Sequence, residues 1–178
     1  MLPTTQRQGR YFRVYSPEWT DPPNETTYNK KYGGRWNLPD VFGALYLNAT
    51  IAVAAAQARH QHAGRAIKLF DLQPQSRPVL AAFDVLPMTI VDAVSAVGIK
   101  SLKLPTHFPY GVDWTRCQAI GIRAHRAALS GVAARSNAEA TLDRFVGEEL
   151  VSFDSQPMPA MTRFGIPFAE WYPDPIPG

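Results

Sequence analysis

The sequence predicts an α+β fold. Three observations carry that prediction: strand-like and helix-like segments follow one another without a βαβ rhythm, no internal repeat shows at any period, and sixteen prolines fall mostly between elements. At 178 residues the chain is read as one domain spanning 1–178, long enough to bury a core without disulfides or metals. The stretch 156–178 is set apart as a proline-rich tail wrapping the surface in extended form, punctuated by Pro157, Pro159, Pro167, Pro173, Pro175 and Pro177.

The elements are read in order. Residues 10–15 (Arg-Tyr-Phe-Arg-Val-Tyr) are aromatic and β-branched, the chemistry of a strand. Residues 16–40 read as a long loop; Trp19, Tyr28, Tyr32 and Trp36 argue that it is ordered, because disordered segments are poor in aromatics. Ala44–Asn48 reads as a short buried strand. Thr50 is then placed to cap an alanine-rich helix from Ile51 to about His62, with Gly64 as its stop. Strands are expected at Ala66–Leu72 and Val79–Val85, and a helix at Met88–Val97 ended by Gly98. Pro105–Gly111 reads as a loop, Asp113 as the cap of a helix from Trp114 to about Leu129, and Val132–Ala134 as a strand leading to Ser136. Glu149–Phe153 is the last predicted strand.

Composition excludes several function classes. The net charge of +3 is mild, with arginines and lysines scattered rather than gathered into a stripe, which argues against a nucleic-acid binder and leaves an anionic small ligand or an acidic partner. A single cysteine, Cys117, cannot pair within the chain and fits a reducing compartment. Met1 to Gln8 holds no apolar secretory core and no stretch is long enough to span a bilayer, so the expected location is cytoplasmic. His60 and His62 diverge on a helix, His107 and His125 stand alone, and no metal site is expected. No Walker loop and no Gly-x-Gly-x-x-Gly is present.

Seven positions are candidates for chemistry. Gly33-Gly34-Arg35-Trp36-Asn37 pairs two glycines, which let a backbone turn sharply, with an arginine fork suited to phosphate or carboxylate. Trp36 can stack and Asn37 can orient a polar edge; the competing reading is a tight turn with a surface arginine and a core tryptophan. Tyr46 ends a short strand and is either core filling or a hydroxyl held over a pocket. Gln57 shares a helix face with Val53, Ala56 and His60, and its small neighbours let it point into a cleft; an exposed helical glutamine is the commoner case. Ser136 lacks a Gly-x-Ser-x-Gly elbow, which disfavours a hydrolase nucleophile and leaves a turn or cap. Arg13 ends an aromatic strand and either reaches a phosphate or lies on the surface.

Taken in order, Arg13, Gly33-Gly34-Arg35-Trp36-Asn37, Ala44-Leu45-Tyr46-Leu47, the alanine-rich helix, Asp113-Trp114, Gln118-Ala119-Ile120-Gly121, Gly131-Val132 with Ser136, and Glu149-Leu150-Val151-Ser152-Phe153 resemble the RES domain, named for an Arg, a Glu and a Ser. The resemblance runs roughly from Arg13 to Phe153. It implies an ADP-ribosyltransferase-like fold, a mixed sheet with flanking helices. It also implies a toxin of a toxin–antitoxin pair that takes NAD⁺ as substrate and cleaves the nicotinamide–ribose bond by phosphorolysis or hydrolysis, with inorganic phosphate as co-substrate in the first case and no metal. Some members transfer ADP-ribose to proteins. The implied partner is an Xre-like helical antitoxin covering the active site, with a homodimer compatible with such an assembly and no direct contact with nucleic acid or membrane.

Carried over residue by residue, Arg35 takes the NAD⁺ pyrophosphate or the attacking phosphate, and Arg13 supports the same anionic groups. Tyr46 lies near the nicotinamide ribose, Asn37 helps bind the cofactor, and Ser136 hydrogen-bonds the nicotinamide or its ribose. The departure is Gln57, which stands eleven positions after Tyr46, where the family pattern calls for a glutamate. Breaking the nicotinamide–ribose bond develops oxocarbenium character, which a carboxylate stabilises and an amide does not. Three explanations stay open: an exchange introduced to silence a lethal protein, a natural variant using another group such as Glu25, or a binding-only descendant. Glu139, Glu148 and Glu149 lie too late in the chain to replace Gln57 under this alignment.

Overall fold

The computed structural model describes residues 1–173. Its order is β1 (Thr4–Tyr15), α1 (Thr27–Tyr32), β2 (Ala44–Asn48), α2 (Ile51–His62), β3 (Val79–Ala93), α3 (Ala96–Ser101), α4 (Trp114–Arg126), β4 (Gly131–Arg135), β5 (Glu148–Phe153), β6 (Ala160–Ile166) and α5 (Phe168–Trp171), an α+β arrangement as expected. The six strands follow the order β1-β2-β5-β4-β3-β6, and β1 also pairs with β3, so five of them close a ring. All pairings are antiparallel except β3 with β4.

The long strand β3 makes this closure possible. One edge pairs with β1 from Val79↔Tyr15 to Val91↔Thr4. The other edge is shared: Leu80–Asp84 takes β6, and Val91–Ala93 takes β4. The helix expected at Met88–Val97 is therefore a correction. Met88, Ile90, Val91 and Ala93 are buried in strand, while Thr89 is exposed and Asp92 half-buried, a spacing that does not alternate regularly enough to separate strand from helix. Pro87 sits at a register shift between Arg7↔Met88 and Gly9↔Val85, where a missing ladder donor does no harm. Gly98 does not stop a helix either. It lies inside α3, capped by Ser95, because a side chain there would meet the Asp92 carbonyl oxygen at 2.2 Å.

Other boundaries also moved. Residues 66–72 form no strand; only Leu69 is buried among them, and Leu69–Asp71 makes a 3₁₀ turn. The 16–40 segment contains the short helix α1, with no buried residue. The expected extended tail carries β6 and α5, because Phe168 and Trp171 are drawn onto a core shared with Val14, Ala54, Ala55, Ala58 and Leu80. Pro175 and Pro177 lie outside the described residues. The caps read from the sequence hold: Thr50 accepts from the Val53 amide and Asp113 from the Arg116 amide. The α4 helix ends at Arg126, short of Leu129, with Ala128 at a positive φ of 53°. No helix among the described residues is long and apolar enough to cross a membrane.

Candidate active site

The loop carrying Arg35 is pinned from several directions. Within it, the Gly34 amide donates to the Asn37 carbonyl at 2.9 Å, closing a tight turn. Asn37 is fully buried and donates through Nδ2 to the carbonyls of Asn29 (2.7 Å) and Phe42 (3.1 Å), tying the turn to α1 and to the approach to β2. From β2, the Tyr46 hydroxyl accepts from the Trp36 amide and donates to Asn37 Oδ1, each at 2.9 Å. A side chain at Gly34 would fall 2.4 Å from that hydroxyl, so the second glycine permits a close approach. From α4, Gln118 Nε2 donates to the Gly34 carbonyl at 2.9 Å, and a side chain at Gly121 would strike the Trp36 carbonyl oxygen at 1.8 Å.

Arg35 and Trp36 meet an acid from β5. Arg35 Nη1 and Trp36 Nε1 both donate to Glu149 Oε1, at 3.3 Å each. Arg35 is only 8% exposed, and its guanidinium lies 4.8 Å from the Phe108 ring centroid. Nη1 also approaches the Arg135 carbonyl at 3.5 Å, while the buried Nη2 has no acceptor among the described residues. Burial pushes the Glu149 carboxyl above the usual carboxylate range; the neighbouring Arg35 and Trp36 pull it partly back. Burial likewise raises the Tyr46 phenol above its ordinary value, so the hydroxyl is a neutral partner.

The other expected residues make no hydrogen bond to this cluster. Ser136 follows Arg135 at the end of β4 and is fully buried; its Oγ accepts from the Ala138 amide at 3.2 Å and its amide donates to the Gly147 carbonyl at 2.8 Å. Gly147 packs against Val53 of α2, one turn before Gln57. Gln57 is half-buried on α2, with Ala54, Ala55, Ala56 and Ala58 buried around it. Arg13 is half-buried on β1 and donates through Nη1 to the Pro23 carbonyl at 2.6 Å, with its guanidinium 5.6 Å from the Trp19 ring centroid. Burial brings the Arg13 guanidinium down to about 10, still charged at neutral pH. Glu25 is occupied elsewhere: its Oε1 accepts from the Thr27 hydroxyl and from the amides of Thr26 and Thr27, bonds that hold it below the usual carboxylate range.

Reading the sequence missed Glu149, Gln118 and Gly121 as parts of this site. The signal for Glu149 was present: an acid beside Leu150 and Val151 on a buried strand needs a cation or donors close by. Two cavities lie away from the cluster. One of about 600 Å³ is lined by Arg59, His62, Lys68, Phe70 and Tyr172, and one of about 530 Å³ by Met1, Leu2, Arg123, Arg126 and Leu129. Neither contains an expected site residue. Among the described residues no group of three or more His, Cys, Asp or Glu side chains is placed to hold a metal.

Comparison with known proteins adds to this geometry. The model of the RES domain matches residues 10–161. The NAD(+) phosphorylase MbcT of Mycobacterium bovis and that of Mycobacterium tuberculosis are each 30% identical to the chain over 103 residues, 58% of this chain and 55% of the relative. The match thus spans little more than half the length of those relatives. The crystal structure of the M. tuberculosis MbcT–MbcA toxin–antitoxin complex contains a chain that superposes with a TM-score of 0.73 at 20% identity, covering 90% of this chain and 85% of that one, which shows a shared fold.

Proposed function

Because the chain belongs to the RES-domain family, we propose that it is a toxin of a toxin–antitoxin pair built to cleave the nicotinamide–ribose bond of NAD⁺. The observation that carries this reading is the family match over 10–161, together with relatives at 30% identity over 103 residues that bear the name NAD(+) phosphorylase. The site chemistry agrees with it. Two arginines, Arg13 and Arg35, offer donors for the pyrophosphate or for inorganic phosphate, and the loop holding Arg35 is braced by Asn37 and Tyr46. Ser136 follows the residue whose carbonyl Arg35 approaches, and this reading gives it a hydrogen bond to the nicotinamide or its ribose. Since Arg35 is nearly buried, a ligand phosphate reaches its free Nη2 only when the covering side chains shift.

In this reading the enzyme stabilises positive charge on the ribose as nicotinamide leaves, and phosphate or water adds to the anomeric carbon. Gln57 keeps the shape and part of the hydrogen bonding of a glutamate without its charge. Losing one such preorganised electrostatic contact costs on the order of a hundred- to thousandfold in rate. Gln57 therefore also favours a second reading, an NAD⁺-binding module with little or no turnover. An Xre-like helical antitoxin covering the site is the partner this proposal names. Product analysis tests it. Phosphorolysis yields nicotinamide and an ADP-ribose carrying a new phosphate on the anomeric carbon, hydrolysis yields free ADP-ribose, and a protein acceptor yields label on protein. Absence of all three from a Gln57→Glu protein that still binds NAD⁺ would sink the enzymatic reading.

A further inference from the structure

We infer that Glu149 is a positioning residue for Arg35, the internal anion that aims the guanidinium for the phosphate groups of the ligand. The inference rests on the reading of Arg35 as an anion-binding arginine. Glu149 enters the cluster from β5, where it pairs with Asn48 of β2 on one side and Ala134 of β4 on the other. Its backbone is therefore fixed by two ladders. Its Oε1 receives both Arg35 Nη1 and Trp36 Nε1, two consecutive residues of the pinned loop. A guanidinium is a planar fork, so fixing Nη1 on a rigid strand and laying the plane beside the Phe108 ring also fixes where Nη2 points. That Nη2 is buried and has no hydrogen-bond acceptor among the described residues, whereas Nη1 has two. A buried donor without a partner is costly to keep, and an anionic ligand oxygen is the partner this arrangement lacks.

The carboxylate also explains how a nearly buried arginine is held in place. A buried cation without a counter-charge is strongly disfavoured, and Glu149 is the one carboxylate paired with Arg35 among the described residues. Glu149 acts on ligand binding through Arg35, not on the ligand, so its effect on NAD⁺ affinity must vanish when Arg35 is absent.

The experiment is a double-mutant cycle on the full chain. Dissociation constants for NAD⁺ are measured by titration calorimetry on the unmodified protein, Arg35→Ala, Glu149→Ala and the double variant, with circular dichroism confirming that each is folded. Glu149→Ala is expected to weaken NAD⁺ binding about tenfold, the scale of one charge-assisted contact, while the double variant binds no worse than Arg35→Ala alone. Should Glu149→Ala fail to fold, Glu149→Gln carries the cycle; its amide oxygen still accepts from Trp36, and a loss of at least about threefold, absent in the Arg35→Ala background, is expected. If Arg35→Ala weakens binding but the Glu149 variants do not, or if the two losses add, the positioning role is overturned while the NAD⁺ reading stands. If Arg35→Ala itself leaves NAD⁺ binding unchanged, the reading of Arg35 is overturned and the inference falls with it.

Discussion

Gly121→Ala is the sharpest perturbation of the scaffold behind the site, because two effects oppose each other and the structure decides between them. Gly121 lies inside α4, and replacing a mid-helix glycine by alanine on an open face stabilises by about 1 kcal/mol. Here the added carbon would sit 1.8 Å from the Trp36 carbonyl oxygen, with the Trp36 carbonyl carbon at 2.9 Å. Carbon and oxygen approach to about 3.3 Å without repulsion, so helix and loop must part by about 1.5 Å. Both neighbours are backbone, and the loop is tied by Tyr46, Gln118 and Glu149, so little can give. Overpacking of this kind costs about 1–3 kcal/mol, and the upper end applies to a rigid neighbour. The net is a loss of about 2 kcal/mol, which for a chain of this size lowers Tm by about 4–8 °C. Thermal unfolding followed by circular dichroism reads the shift, and NAD⁺ titration reads the displacement of Arg35. A Tm equal to or above that of the unmodified protein would refute the close approach of α4 to the Arg35 loop.

Three further outcomes follow from the same geometry. Tyr46→Phe leaves the Trp36 amide and Asn37 Oδ1 without their partner and should cost about 1–3 kcal/mol by chemical denaturation, with NAD⁺ binding weakened; unchanged stability would show that those bonds do not brace the loop. Arg13→Lys keeps the charge but cannot reproduce the fork, so NAD⁺ affinity should fall about tenfold with Tm moved by less than about 4 °C; unchanged affinity would remove Arg13 from the ligand-binding set. Glu139 is held below the usual carboxylate range chiefly by its hydrogen bonds from Arg59. A depressed folded value makes its contribution to stability present above the unfolded value of about 4.3 and lost as pH falls through the folded one. Glu139→Gln should therefore flatten the fall of Tm below about pH 4.3, and an unaltered slope would show that the pair does not act in solution.

Much of this architecture was legible in the sequence where local chemistry and tertiary context agree. Thr50 and Asp113 cap the helices they were expected to cap, because capping depends on the residue and its own next turn. β2, β4 and β5 were visible as short apolar runs between turn residues. The failures have one physical source. Met88–Ala93 and Ala160–Ile166 take strand structure from their ladder partners, and Pro87 is tolerated only because a bulge opposes it, none of which a local window contains. The site divides in the same way. Gly33-Gly34-Arg35-Trp36-Asn37 announced a tight turn with a positioned arginine, and the turn is there. The partner of Arg35 is Glu149, more than a hundred residues away, and only the pairing of β5 between β2 and β4 brings it in. Asn37 and Tyr46 spend their hydrogen bonds holding the loop, a role that residue type alone could not distinguish from direct contact with a ligand.

The central claim is that this scaffold cleaves NAD⁺ when position 57 carries a carboxylate. Its most direct test is nicotinamide release from NAD⁺, with and without inorganic phosphate, by the unmodified protein and by Gln57→Glu. Release by the glutamate form is expected, with the glutamine form slower on the order of a hundred- to thousandfold. No release by either form, with NAD⁺ still bound by both, would contradict the account and leave the chain an NAD⁺-binding protein.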